Sequence, residues 1–372
     1  MGNRGASAGT GSTKQGADAA SLLACLYGTL FPCALRPYFR QMLPPGSSEY
    51  NVQGERKMKK LLAWLLVICL VLTVSVSAFA EENAAEEQEP DEEENYETGD
   101  ASLDDPRNAD KIGEKELLVV SFGTSYNDSR RMTIGGIESR LEKDFPEWSV
   151  RRGFTSQIII DHVLKRDNEK IDNVTEALDR AIDNGVKTLL VQPTHLMHGF
   201  EYTDLVDELA EYADAFDEVI VGEPLLNSDE DFSAVADIIT EATKEYDDGK
   251  TAICFMGHGT EAESNSVYAQ MQEVLLEKGF DHYYVGTVEA EPSVEDVLDA
   301  VKQGGYERVV LRPLMIVAGD HANNDMAGDE EDSWKSVFES AGYEVVCVVE
   351  GLGQLEGVQA LFSQHVQDAL EQ

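Results

Sequence analysis

The residue types able to do metal and proton chemistry gather in a few loops. Of seven histidines, four (His195, His198, His258 and His321) fall just after apolar, β-branched runs. In a chain of alternating strands and helices, that is the end where ligands bind. His258 lies between Gly257 and Gly259, small neighbours that let the backbone turn sharply and a ligand reach the imidazole. His321 follows Gly319-Asp320 and precedes Ala322-Asn323-Asn324-Asp325, with Asp320 a candidate to orient its ring. Glu289 sits beyond Gly286-Thr287 at the same end, with Glu291 so near that spacing does not choose between them. Two imidazoles and a carboxylate hold a divalent transition metal with positions left open. A histidine in a glycine turn is more often structural. Here the matching position of the first half carries Gly123, so the fold does not require an imidazole there. His162 and His365 lie in helical stretches and His282 begins a strand, so these three read as structural or exposed.

A second loop, Thr194-His195-Leu196-Met197-His198-Gly199-Phe200-Glu201-Tyr202, carries two histidines and an acid. Met197 and Phe200 suit either a large flat apolar ligand or ordinary loop anchoring. No Walker A sequence and no Gly-x-Ser-x-Gly elbow occur. Gly351-Leu352-Gly353-Gln354-Leu355-Glu356-Gly357 is one residue off the dinucleotide fingerprint, and no βαβ unit follows it, so it reads as a tight strand-to-helix turn. Cys254 and Cys347 sit mid-strand as small apolar residues, and five cysteines in all make no disulfide framework.

The elements that must position these residues alternate regularly. Strands are expected at Leu117–Phe122, Ser149–Thr155, Thr188–Gln192 and Glu218–Val221, then at Ala252–Met256, Tyr283–Thr287, Arg308–Met315 and Glu344–Val349. Helical spacing covers Ser129–Lys143, Ile158–Lys165, Asn173–Asn184, Tyr202–Tyr212, Ser264–Lys278, Val294–Gln303, Asp332–Ser340 and Gln354–Leu370. Near-continuous apolar strands between helices mean parallel sheets covered on both faces. The halves share punctuation: Ser121-Phe122-Gly123-Thr124-Ser125 answers to Met256-Gly257-His258-Gly259-Thr260, and Gln192-Pro193-Thr194-His195 to Arg312-Pro313-Leu314-Met315. The expected fold class is α/β, two similar doubly wound parallel-sheet halves facing a central cleft, with residues 114–248 as the N-terminal half and 249–372 as the C-terminal half.

The residues ahead of these halves explain themselves without folding. Met58-Lys59-Lys60, the apolar run Leu61 to Val76 and Ser77-Ala78-Phe79-Ala80 form a Sec-type signal peptide over 58–80. Cleavage is expected after Ala80, with an uncleaved anchor as the other reading. The protein is then exported, to the periplasm, the envelope or beyond. Residues 1–57 read as a mis-called N-terminal extension, because Gly54-Glu55-Arg56-Lys57 can be encoded by a purine-rich tract like a ribosome-binding site, or else as a poorly ordered native extension. Residues 81–113, dense in acid, read as a disordered solvated linker. Across the chain 29 Lys and Arg face 71 Asp and Glu, a formal charge of -42. That excludes a nucleic-acid partner bound by bulk electrostatics and argues against docking on an anionic membrane.

From about Lys115 to Leu370 the chain resembles the anaerobic-type sirohydrochlorin cobaltochelatases, class II tetrapyrrole chelatases. The carrying segments are Val119-Val120-Ser121-Phe122-Gly123-Thr124-Ser125, Gln192-Pro193-Thr194-His195, Met256-Gly257-His258-Gly259, Gly286-Thr287-Val288-Glu289 and Arg312-Pro313-Leu314-Met315 on to Ala318-Gly319-Asp320-His321-Ala322. The resemblance implies a tetrapyrrole cleft between the halves, His258, Glu289 and His321 as metal ligands, and Glu201 as the acid that handles pyrrole protons. It implies catalytic roles for His258, Glu201 and His321, insertion of Co2+ or Fe2+ into sirohydrochlorin, and no nucleotide cofactor. A second copy of the chain stays open as a partner. One departure is Ala290-Glu291, where members often have glycine and an aromatic residue. Export is the larger departure and keeps a second reading in view, an extracytoplasmic haem or metal carrier without turnover. A metal-dependent hydrolase is the weaker third.

Overall fold

The computed structural model describes residues 98–371, all within one compact unit. The readings made for 1–57 and 58–80, and for the first part of 81–113, lie outside the described residues.

Two four-stranded parallel sheets carry the described residues. The first holds β1 (Lys115–Ser121), β2 (Ser149–Phe154), β3 (Thr188–Pro193) and β4 (Glu218–Val221) in the order β2-β1-β3-β4. The second holds β5 (Thr251–Gly257), β6 (Tyr283–Thr287), β7 (Arg308–Pro313) and β8 (Glu344–Cys347) in the order β6-β5-β7-β8. The orders are the same once renumbered, as a duplicated unit requires. In the first half the helices are α1 (Asn127–Met132), α2 (Ile134–Asp144), α3 (Gln157–Asp167), α4 (Val174–Asn184), α5 (Phe200–Tyr212) and α6 (Asp229–Ala242). In the second they are α7 (Ser266–Glu277), α8 (Val294–Gly304), α9 (Trp334–Ser340) and α10 (Glu356–Leu370).

The period-2 geometry of a strand divides the core. On β1, Leu117 and Val119 face one apolar cluster while Leu118 and Val120 face another. The first of these is shared by both halves, joining Leu117 and Leu190 to Ile253, Phe255 and Val310 through Phe232 of α6, Met271 of α7 and Phe362 of α10. Two further clusters belong to one half each: Leu178 and Leu205 cover the first sheet's outer face, Val301 and Trp334 the second's. Both sheets are thus buried on both faces, and their strand-end loops are left to carry chemistry.

Three helices begin on reciprocal capping boxes: Asn173 with Glu176, Ser228 with Asp231, and Ser293 with Asp296. The middle one opens α6, a helix absent from the expected elements although Phe232, Val235, Ala236 and Ile239 recur at helical spacing and are buried. The single helix expected over Ser129–Lys143 is two. Thr133 lies between them, with its N–H and its Oγ1 both donating to the Ser129 carbonyl.

The acidic linker is corrected over its described part. Residues 98–113 lie along the first half, with a short 3-10 turn at Ala101–Leu103. The Asp104 carboxylate is buried between Arg130 Nε (2.8 Å) and Arg152 Nη1 (2.7 Å). Arg107 pairs with Glu138 and Glu142, and the Lys111 N–H donates to Asn184 Oδ1. Composition argued for solvation, but distant basic partners give these acids a folded place. Among the described residues, no helix is long and apolar enough to cross a membrane.

Candidate metal centre

β5 is buried along its whole length and ends at Gly257. A Cβ there would stand 2.1 Å from the Tyr268 ring, so only glycine lets the strand end rest on that phenol. Gly259 has φ +90°, and a Cβ on it would meet the Ala290 backbone nitrogen at 2.8 Å. Between these two glycines His258 turns outward. Its Nδ1 lies 2.8 Å from the Gly259 carbonyl, which can only accept. Nδ1 therefore carries the proton and Nε2 keeps a free lone pair.

The loop after β6 is laced to this turn. The Val288 N–H donates to the Gly257 carbonyl (3.0 Å) and the Glu289 N–H to the His258 carbonyl (2.8 Å). Glu289 is thereby held in register with His258. Glu291 turns to the Ser293 N–H instead, so Glu289 is the better-placed candidate of the two acids.

His321 enters from the loop after β7, just ahead of a π-helical turn, Ala322–Met326. Its Nδ1 meets Asp325 Oδ2 at 2.7 Å, leaving Nε2 free. The orienting carboxylate is therefore Asp325 and not the expected Asp320, which accepts from Asn324 Nδ2. Residues four apart share a helical face and adjacent residues do not. The Asp325 hydrogen bond holds the His321 proton above the usual imidazole range, burial works against it, and the charges of Asp325 and Glu289 add to the rise.

His258, Glu289 and His321 each offer a ligand atom, and the three atoms lie within 4.8 Å of one another. The two rings stand edge to face, 4.7 Å between centroids at 87°. His258 and Glu289 are exposed and His321 is half-buried. This is a three-donor site open on one side, able to hold a divalent transition metal and to give it up to a better ligand.

The loop of the first half stands apart from these three. Glu201, in the first turn of α5, reaches the site through its charge, which acts on the Tyr268 hydroxyl. That hydroxyl accepts the Gly259 N–H at 3.2 Å, directly behind His258. Neither Tyr268 nor Asp325 was picked out by sequence reasoning. Asp325 had a signal in its spacing from His321, whereas Tyr268 had none. His195 has both ring nitrogens buried without a hydrogen-bond partner, and burial lowers its pKa to about 4, so it is neutral. His198 bonds Glu223 Oε2 (2.8 Å) and packs edge-on against Tyr202. Phe200 is exposed, and Met197 packs on the shared core. The Leu352 and Gly353 N–H groups are taken by the Met315 and Ile316 carbonyls, as befits a tight turn. A cavity of about 500 Å³ among Asp110, Lys111, Asp172 and Arg180 holds none of the candidate site residues.

Two repeated parallel-sheet units, with a His-Glu-His group at the strand ends of the second that could hold a metal ion, define an α/β protein of two like halves with a candidate metal site. The cobalt chelatase (CbiK) family model matches residues 115–371. The chain is 35% identical over 256 residues to the sirohydrochlorin cobaltochelatase of Salmonella typhimurium (strain LT2), covering 69% of this chain and 96% of that one. It is 31% identical over 258 residues to the sirohydrochlorin cobaltochelatase CbiKC of Nitratidesulfovibrio vulgaris (strain Hildenborough), covering 69% and 90%. The sirohydrochlorin chelatase SirB of Bacillus subtilis subspecies spizizenii, solved in complex with cobalt, aligns at a TM-score of 0.49 with 12% identity, over 70% of this chain and 96% of SirB. This chain belongs to the CbiK cobalt chelatase family.

Proposed function

We propose that the protein inserts Co2+ into sirohydrochlorin, releasing two pyrrole protons for each metal ion taken up. The observation that carries this is the convergence of His258, Glu289 and His321 in a chain whose curated relatives are named for that activity. In this reading the Nε2 atoms of His258 and His321 and the Glu289 carboxylate hold the incoming Co2+. Three donors leave positions for the ring nitrogens, and one carboxylate offsets part of the metal charge. Glu201, facing from the other half, takes a pyrrole proton as the nitrogen lone pair turns to the metal. Fe2+ suits the same imidazole and carboxylate set.

Anaerobic Co2+ insertion, followed by absorbance, tests the reading. The wild type should exceed the uncatalysed rate, and a His258→Ala, His321→Ala double variant should not. Glu201→Gln should bind Co2+ normally while kcat falls about 10²-fold, the usual scale of general acid–base assistance. A wild type that binds metal or haem and leaves the insertion rate at background would make this a carrier.

We propose further that residues 58–80 export the protein and that Met58 is its start. The basic residues, the apolar run and the Ala78-Phe79-Ala80 site support this. N-terminal sequencing of the protein from its own cells should begin at Glu81. A mature chain beginning at Met1 would end this reading.

A further inference from the structure

Residues 98–104 lie ahead of the family match, which begins at residue 115, yet they bind the element that holds the His321 loop. The Thr98 carbonyl accepts the Asp128 N–H (2.7 Å) and the Gly99 carbonyl accepts Asn127 Nδ2 (3.2 Å). Asp104 accepts from Arg130 Nε (2.8 Å). All three partners are on α1. The Asp104 side chain is 2% exposed and that of Arg130 is fully buried, so water does not screen the pair.

From α1 one hydrogen bond crosses to the other half, and a second path runs through Thr124 of the same half. Ser129 Oγ accepts the Ala318 N–H at 3.0 Å. Arg130 Nη1 donates to the Thr124 carbonyl (3.3 Å), and Thr124 lies so close to Gly319 that a Cβ there would stand 3.2 Å from Thr124 Oγ1. Ala318 and Gly319 lead directly into His321. A continuous run of bonded or packed groups thus joins Asp104 to the backbone that aims the imidazole.

We infer that residues 98–104 are a clasp that positions the metal-holding loop, with Asp104 as its positioning residue. Metal handling by this chain then depends on a segment outside the part it shares with the family model. The inference rests on the reading of His321 as a metal ligand. Losing a group that directly supports a metal ligand changes affinity by about 10–100-fold, and the clasp, acting from further out, should move it at the low end of that scale.

The test is Co2+ titration of the full chain, read by the visible Co2+ absorption bands, beside a thermal melt. Asp104→Asn should remain folded, bind Co2+ about 10-fold more weakly and shift the bands, since the donor geometry changes. Ser129→Ala, which removes the acceptor at the other end of the path, should shift affinity in the same direction. Asp110→Asn removes the charge paired with Arg180, beyond the clasp and away from α1, and should bind Co2+ as the wild type does. Folded Asp104→Asn and Ser129→Ala proteins with wild-type affinity and bands overturn the clasp, as does an equal loss in Asp110→Asn. If Asp104→Asn does not fold, Ser129→Ala alone decides. A His321→Ala protein that keeps wild-type Co2+ binding defeats the underlying metal reading instead.

Discussion

Asp325 Oδ2 stands 2.7 Å from His321 Nδ1, one helical turn along the chain, so the imidazole presents Nε2 to the site and the carboxylate makes it a stronger donor. The same bond makes the ring a stronger base. Bound metal and bound proton compete, and a raised pKa means that metal binding is lost as pH falls through that raised value. Asp325→Asn should weaken Co2+ binding at pH 8 about 10-fold and move the acid midpoint of binding to lower pH. Titrations from pH 5.5 to 8 check this, and a midpoint that rises would refute it.

Tyr268 supports His258 in a comparable way, by accepting the Gly259 N–H from beneath the turn. Tyr268→Phe keeps the ring that packs against Gly257 and deletes only the acceptor. The stranded N–H should cost roughly 1–3 kcal/mol of stability. The turn it anchors should loosen, so Co2+ affinity falls several-fold while sirohydrochlorin binding holds. Urea unfolding and Co2+ titration of one preparation separate these effects. Unchanged affinity would show that the two glycines fix His258 without help.

The candidate metal ligands were more legible in the sequence than the groups that support them. His258 and His321 stood out because strand-end loops are short and glycine-marked, and the structure brings them together with Glu289. Most strands were legible as apolar runs, β1 and β5 most clearly, whereas β2, which buries Arg151 and Arg152, and the half-buried edge strands β4 and β8 were marked by their place between helices. Helix α6 was also legible, in the helical spacing of Phe232, Val235, Ala236 and Ile239 after the Ser228 and Asp231 cap, though it was not among the expected elements. The ordered part of the acidic segment was hidden for a physical reason. Composition counts charges, but Asp104 is fixed by Arg130 and Arg152, partners tens of residues away that only the fold supplies. Tyr268 reaches Gly259 across a strand and a helix, a contact with no sequence period.

Glu116, near the start of β1, is buried with neither carboxylate oxygen hydrogen-bonded. Burial is the main cause of its pKa rising from the ordinary 4.5 to about 7, with the Arg151 charge opposing. Between those values the folded state holds a proton that the unfolded chain has released, so stability falls as pH rises across the window. Glu116→Gln should remove that slope. At pH 8 the variant should be more stable than the wild type by roughly 1–3 kcal/mol, with the gap closing toward pH 5. Urea unfolding at four pH values measures it, and parallel slopes in the two proteins would rule it out.

His365 ties the closing helix α10 to the first half: Nε2 lies 3.0 Å from Asp231 Oδ1 and Nδ1 3.2 Å from the Glu223 carbonyl. Burial alone would raise the Asp231 pKa. The bonds from His365 and Ser228 outweigh it and hold the carboxyl below its ordinary 3.8. A depressed pKa contributes stability that is present above the ordinary value and is lost as pH falls through the folded one. His365→Leu removes the larger of those bonds and leaves the Asp231 carboxylate short of a donor in a mostly buried place. The expected loss is roughly 1–3 kcal/mol at pH 7 and less at an acid pH below the depressed value at which Asp231 protonates, where the missing donor matters less. Denaturant unfolding at both pH values decides the point. An equal loss at each would mean that His365 acts by filling space in the core, with its bond to Asp231 contributing nothing measurable.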